Sequence, residues 1–311
     1  MMELYEVERD EYDKIVRKGR YSYNESWFHE LNKDKADTLH YLLFKSRKYK
    51  FSIVAGVVDK VMRFPYSAPF AIFERLNSDI AIEDMEQALC LLEDFSHNRQ
   101  IHQILFRLPP VFYDETYISK LHNCFLRKDY KIFCLDLNYQ YFINDMDYFY
   151  SMLKRNAKKN LRIAEEQNYN LVYCETMEQK QQAYNIIAIN RSNKGYPLRM
   201  SWEAVNATIV NMKHDFFLLY LDGQAVAAAV IFAVCDDIYQ VVYWGDIDGY
   251  ADKKPMNYLS CHLYEYYCKK GIRVLDIGPS TEGGVPNYGL CRFKESIGCE
   301  ISSKVTFVKE I

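Results

Sequence analysis

One order of elements runs through this chain twice, and it limits the fold more than any single motif does. In the first half, residues 10–20 and 22–38 mix polar and apolar residues in helical fashion. TLHYLLFKS then alternates as a strand, and KFSIVAGVVDKVMRFPY reads as two strands meeting near Asp59 and Lys60. IEDMEQALCLLEDFSHN sets Met85, Leu89, Leu92 and Phe95 on one helical face. QILFRLPP is a short buried strand stopped by Pro109 and Pro110, YISKLHNCFLRKD a helix, and YKIFCLDLN a closing strand. The second half starts with a helix over about 178–192 and a shorter one in SWEAVNATIVNM. DFFLLYLD turns at Asp222-Gly223 into QAVAAAVIFAVC, and DIYQVVYWG follows as a strand. KPMNYLSCHLYEYYCKKG is a helix with proline in its first turn and glycine past its last. GIRVLDIG, NYGLCRFKESIG and EISSKVTFV complete the series as strand, helix and strand. The pattern predicts a tandem duplication of one α/β (α+β) unit.

The length of 311 residues suits two domains of roughly 150 residues each. We place the break between 143 and 144, giving domains 1–143 and 144–311, the second opened by one long basic helix at 145–167. Asp145 and Asp147 fall in that helix's first turn, where its dipole favours acid. A net charge of -3 supplies no global field for nucleic acid or anionic lipid, so DNA is not an expected partner and any polyanion must be met by a local patch. Nine cysteines form no CxxC pair and the histidines no HExxH, which argues against a metal site or a disulfide framework. The longest apolar run, Ala225 to Cys235, falls well short of the ~20 residues that span a bilayer. The charged start, MMELYEVERDEYDK, is unlike a signal peptide. These features predict a cytoplasmic protein without integral membrane association.

Several segments together carry a likeness. RNAKKNLRIAEEQNYNL resembles the Asn-Ala-basic helix that follows the first domain of FemABX-like transferases. GQAVAAAVIF, YQVVYWGD, the helix starting at Pro255 and LDIGPSTEG with NYGLCRFKESIGCE follow that family in order and spacing, and RFPYSAPFAIF is similar to its Ser-Pro-Phe segment. The likeness spans about residues 50–308 and is strongest after 150. It implies two GNAT-like domains, each a mixed, mostly antiparallel sheet flanked by helices, with the working cleft between them or in the second. It also implies an acyltransferase that moves an amino acid from aminoacyl-tRNA, or an acyl group from another activated donor such as acyl-CoA, onto a primary amine of a small molecule or peptide. The long helical hairpin of some family members is absent here.

Acyl transfer to an amine requires amine deprotonation, oxyanion stabilisation and protonation of the leaving group. With the resemblance in hand, Lys294 is a candidate source of positive charge near the donor or the developing oxyanion. Tyr288 is a candidate acid for the leaving group, and Asp276 accepts from a substrate amine or orients Lys294. Ordinary structural readings stand beside these: a solvated helix lysine, an aromatic packed on Pro286, and a strand-end turn residue. Ser280 and Thr281 contact substrate or cap their loop. Tyr243 and Trp244 are strand neighbours, so only one of them faces a given cleft. Arg191, Lys194 and Arg199 surround Gly195-Tyr196-Pro197 and either bind a substrate carboxylate or phosphate or form an exposed polar loop. The likeness further implies an acceptor pocket at Tyr66, Ser67 and Phe70.

No permanently bound cofactor is expected, and the co-substrate is left open between acyl-CoA and aminoacyl-tRNA. Coenzyme A sites of GNAT type use a Q/R-x-x-G-x-G/A loop whose N–H groups cradle pyrophosphate. The corresponding loop here, GDIDGYADKKPMN, lacks it and carries Asp246, Asp248 and Asp252. In the basic helix, Lys154, Lys158 and Arg162 share one face with Arg155 and Lys159 beside them, a stripe able to follow tRNA phosphates or simply to stay solvated. A non-catalytic ligand-binding protein that retains the tandem cleft is the competing reading, because a fold does not fix a chemistry.

Overall fold

A computed structural model describes all 311 residues, Met1 to Ile311, in two compact units. Unit 1 comprises Met1–Leu137 with Ser302–Ile311, and unit 2 comprises Asn138–Ile301. The division falls inside a strand rather than at the expected break between 143 and 144, and the chain's last residues belong with the first unit.

Unit 1 is built from β1 (Glu3–Val7), α1 (Arg9–Val16), α2 (Ser26–Leu31), β2 (Thr38–Lys45), β3 (Tyr49–Val58), β4 (Val61–Phe64), β5 (Glu74–Arg75), α3 (Ile82–Asn98), β6 (Gln103–Arg107) and α4 (Glu115–Arg127). The hairpin at Asp59-Lys60 is tight: both residues take positive φ, 52° and 60°, as a primed two-residue turn requires. On one face of this sheet Phe125 of α4 packs on Phe106 and stacks on Phe307, with ring centroids 4.9 and 4.8 Å apart. On the other, Tyr12 and Val16 of α1 join Tyr41, Leu43 and Val54 in a small core.

The chain then forms β7 (Lys131–Phe142), α5 (Met146–Met152), α6 (Arg155–Glu165), β8 (Tyr169–Tyr173), α7 (Met177–Lys194), α8 (Trp202–Ile209), β9 (His214–Leu221), β10 (Gln224–Ala233) and β11 (Ile238–Asp246). It ends with α9 (Pro255–Lys269), β12 (Val274–Pro279), the two-residue strands β13 (Thr281–Glu282) and β14 (Val285–Pro286), α10 (Tyr288–Ser296) and β15 (Glu300–Glu310). The long helix expected at 145–167 is instead two helices. Leu153 and Lys154 are extended, because the Leu153 side chain is buried and the Lys154 N–H is taken by the Ser296 carbonyl.

The closing strands are exchanged between the repeats. In unit 1 the sheet order is β1-β2-β3-β4-β6-β15, and in unit 2 it is β7-β12-β11-β10-β9-β8. Thus β15 pairs antiparallel with β6, while the second part of β7 pairs antiparallel with β12. Each sheet is otherwise antiparallel apart from one parallel pair, β4–β6 in unit 1 and β11–β12 in unit 2. The mixed, mostly antiparallel sheets flanked by helices follow the expected class. No helix is long and apolar enough to cross a membrane.

Candidate active site

The parallel pair of unit 2 comes apart. Ile238, Tyr239 and Gln240 of β11 pair with Val274, Leu275 and Asp276 of β12, and no further residues of the two strands pair. β11 nevertheless runs on to Asp246 and β12 to Pro279. The result is a fork at the carboxyl ends of two parallel strands, where α/β sheets place their ligands. In unit 1 the corresponding strands stay paired to Phe64 and Phe106, the last residue of β4 and its partner. The fork belongs to unit 2 alone.

A bulge lies on the β12 side. Register with β7 shifts between Asp276 and Gly278, and Gly278 takes φ 75°, a conformation glycine adopts without strain. The Asp276 carboxylate, 1% exposed, shapes it. It accepts from Asn138 Nδ2 at 2.7 Å, from Gln240 Nε2 at 2.9 Å and from the Gly278 N–H at 2.8 Å. Asp276 therefore holds the bulge from inside the sheet instead of ending the strand as an exposed turn.

Lys294, on α10, completes the arrangement. It is 2% exposed, and its ammonium donates to the carbonyls of Ile277 at 3.0 Å, Gly278 at 2.9 Å and Pro279 at 3.2 Å. It also lies 5.3 Å from the centroid of the Tyr139 ring. Burial pushes its pKa down to about 8, an effect opposed by Cys299 and Asp276. The surface-lysine reading is thus excluded. Its three N–H bonds are all committed to the main chain, which leaves its field and the bulge that it holds, and no free N–H donor, to act at the fork.

Cations near the fork differ in their partners. Lys194 pairs with Asp246 at 3.2 Å, and Arg199, well exposed, pairs with Glu282. Arg191 forms no ion pair. Its guanidinium is half-buried between the rings of Tyr243 and Tyr196, 5.6 and 5.9 Å from their centroids, and its Nε is buried without a hydrogen-bond partner. Burial lowers its pKa. Ser280, at the end of β12, likewise has a buried Oγ without a partner. Asn287 connects this group to α10: its Oδ1 caps the helix at Leu290, its N–H bonds to the Ser280 carbonyl, and its Nδ2 donates to the Tyr196 hydroxyl at 2.9 Å.

The other candidates are dispersed. Tyr288 is 69% exposed at the start of α10, and its side chain makes no hydrogen bond with Asp276, Lys294 or any other residue. Thr281 is buried in the short β13–β14 pair. Tyr243 faces Arg191 and its hydroxyl accepts from the Met200 N–H, whereas Trp244 points the other way, 6.2 Å from the Phe293 ring. In unit 1, Tyr66 donates to the His29 carbonyl and Ser67 to Asn32 Oδ1. Phe70 is 1% exposed inside a cluster with Tyr21, Tyr23 and Tyr113, which makes it core and not pocket lining. On α6, Lys154 is the N-cap residue and pairs with Glu295, while Arg155, Lys158, Lys159 and Arg162 are exposed opposite the buried Ala157, Leu161 and Ala164.

Sequence reasoning missed Asn138, Gln240 and Asn190. The first two are amides inside otherwise apolar strands, NYQYF and IYQVVYW, and that mismatch is the signal that marks them. Asn190 sits one residue before Arg191 and donates Nδ2 to the Asp246 carbonyl at 2.6 Å. A Cβ on Gly245 would lie 2.5 Å from its Cγ, so glycine lets α7 approach β11 and sets Arg191 at the fork.

No protein-family model matches the chain, and no curated protein matches it by sequence. Solved structures do. FemX aligns with a TM-score of 0.71 at 12% identity, covering 99% of this chain and 97% of its own. L-PGS from Bacillus licheniformis aligns at 0.61 and 14% identity, covering 97% and 92%. A tandem GNAT protein from the clavulanic acid biosynthesis pathway aligns at 0.51 and 8%, covering 100% and 98%. The chain has the FemABX-like GNAT fold, as its motifs led one to expect.

Proposed function

We propose that this protein is an acyltransferase that moves an aminoacyl group from aminoacyl-tRNA onto a primary amine of a small molecule or peptide, with the fork of unit 2 as its reaction site. The observation that carries the reading is the parting of β11 and β12 over a buried ammonium, beside a guanidinium that no carboxylate neutralises. Such a site favours negative charge as it develops.

The amine nitrogen attacks the ester carbonyl, its C–O bond to the tRNA ribose breaks, and the proton lost by nitrogen ends on the departing hydroxyl. The fixed charge of Lys294 lowers the energy of the tetrahedral oxyanion without any reorganisation at the moment of reaction. Arg191 holds an anionic group of donor or acceptor by its free edge. Ser280 Oγ is the hydroxyl available for relaying the proton.

Two features favour an aminoacyl-tRNA over a thioester of coenzyme A. The segment leading into α9 is acidic at Asp248 and Asp252, and its entry residues Lys254, in the left-handed region, and Pro255 do not build an amide cradle for pyrophosphate. The exposed cations of α6 supply a surface for RNA phosphates.

The test is single-turnover transfer from a labelled charged-tRNA mixture, and from acetyl-coenzyme A, to a panel of primary amines. Labelled product with the tRNA mixture alone supports the proposal. Product with acetyl-coenzyme A alone reassigns the donor, and no transfer from either moves the non-catalytic binding reading to the front.

A further inference from the structure

Unit 1 carries two arginines that its fold leaves without a counter-charge. Arg63 lies on β4 and Arg107 at the end of β6, strands that pair in parallel with Arg63 opposite Leu105. Residues two apart share a sheet face, so both arginines project on the same side, roughly 8 Å apart at Cα from strand spacing and rise. This is the face opposite the α4 packing, since Phe106 and Phe307 point the other way.

Neither arginine forms an ion pair. Arg63 is half-buried, and its Nε is buried with no hydrogen-bond partner. Arg107, also half-buried, donates Nε to Thr306 Oγ1 at 3.3 Å and has no other side-chain partner. Thr306 stands directly across from Arg107, is 1% exposed, and its hydroxyl accepts this bond while donating none. Glu310, which shares this face of β15, lies beside Gln103 and is bonded to it at 2.7 Å. Tyr66 makes a flat wall. Its ring occupies the side-chain space of Gly56, the residue directly across from Arg63, at 2.4 Å from where a Cβ would stand.

Two like charges at this distance repel, and half-burial raises the cost of leaving them unpaired. Guanidinium forks match the oxygens of a doubly charged tetrahedral group, and a spare hydroxyl proton adds a third donor. We infer that Arg63, Arg107 and Thr306 form a binding site for a phosphate monoester, with Tyr66 stacking against whatever the ester carries. The site is separate from the fork and stands on its own observations.

Calorimetric titration of the full chain with inorganic phosphate and with glycerol 3-phosphate tests it, with malonate as the dicarboxylate control. Both phosphates are expected to bind, with glycerol 3-phosphate the tighter. R63Q and R107Q are each expected to weaken binding at least tenfold, and R63K and T306V a few-fold. R63K keeps the charge and T306V the shape, so they carry the test even where a glutamine variant fails to fold. The site is overturned by wild-type protein that binds neither phosphate at millimolar concentration, by malonate binding as tightly as phosphate, or by folded variants that bind as wild type does. Loss of phosphate binding in R191Q, with R63Q unchanged, would place the ligand at the fork and also overturn it.

Discussion

Lys294 separates the consequences of burial from those of charge. Removing its ammonium, as in Lys294→Met, leaves three buried carbonyls without their donor, at a cost of about 2–4 kcal/mol. We therefore expect the variant to lose transfer activity and to unfold at lower denaturant, contrary to the simpler expectation that an active-site lysine can be removed without affecting stability. The pH dependence has two opposite signs. Because the folded pKa is depressed from 10.5 to about 8, the native state holds fewer protons than the unfolded state between those values. Lys294's contribution to stability therefore rises as pH climbs from about 8 towards 10.5, while activity that depends on its charge falls over the same range. Turnover that stays flat past pH 9 would show that the charge is not used. At Gly245, alanine places a methyl within 2.5 Å of Asn190, and we expect Gly245→Ala to cost roughly 1–3 kcal/mol. Much of that should be recovered when Asn190 is also replaced by alanine, as a double-mutant cycle in urea will read.

The helix α6 shows how an element can be legible in composition and misjudged in length. Its basic stripe was plain in RNAKKNLRIAEE, yet its start is set by a hydrogen bond to Ser296, more than a hundred residues away. Reversing Arg155, Lys158, Lys159 and Arg162 to glutamate is expected to weaken tRNA binding at low salt and to reduce the salt dependence of what remains. The melting temperature should change little, since the buried face of Ala157, Leu161 and Ala164 is untouched. Unchanged tRNA affinity in a filter-binding series would remove α6 from the interface. The fork between β11 and β12 is also a property of elements: each strand was visible as an apolar run, but where their pairing stops is decided by the bulge at Asp276–Gly278.

At the scale of the whole molecule, the exchange of closing strands makes unit 1 depend on the end of the chain. Residues Thr306 to Glu310 of β15 pair with Arg107 to Gln103 of β6, and Phe307 stacks on Phe125. A chain stopped after Ile301 should therefore lose protection in β6 and α4 of unit 1 rather than simply fraying at its terminus. Hydrogen exchange followed by mass spectrometry will show this, and full protection of residues 103–127 in the truncated chain would contradict it.

The sequence by itself determined the elements and most of their order: helical and strand periodicities, the turns at Asp59-Lys60 and Asp222-Gly223, and the family-like motifs that led to the FemABX-like GNAT fold. Those signals are local, since side-chain alternation and turn chemistry act over a few residues. It also pointed to Lys294 and Asp276, though not to what they do. Only the tertiary structure decided that Lys294 spends its donors on three carbonyls, that Asp276 braces a bulge, that Tyr288 stands exposed and Phe70 lies in the core, and which strand closes which sheet. Each of these depends on partners distant in the chain, and burial and hydrogen-bond satisfaction are settled only once the chain has packed.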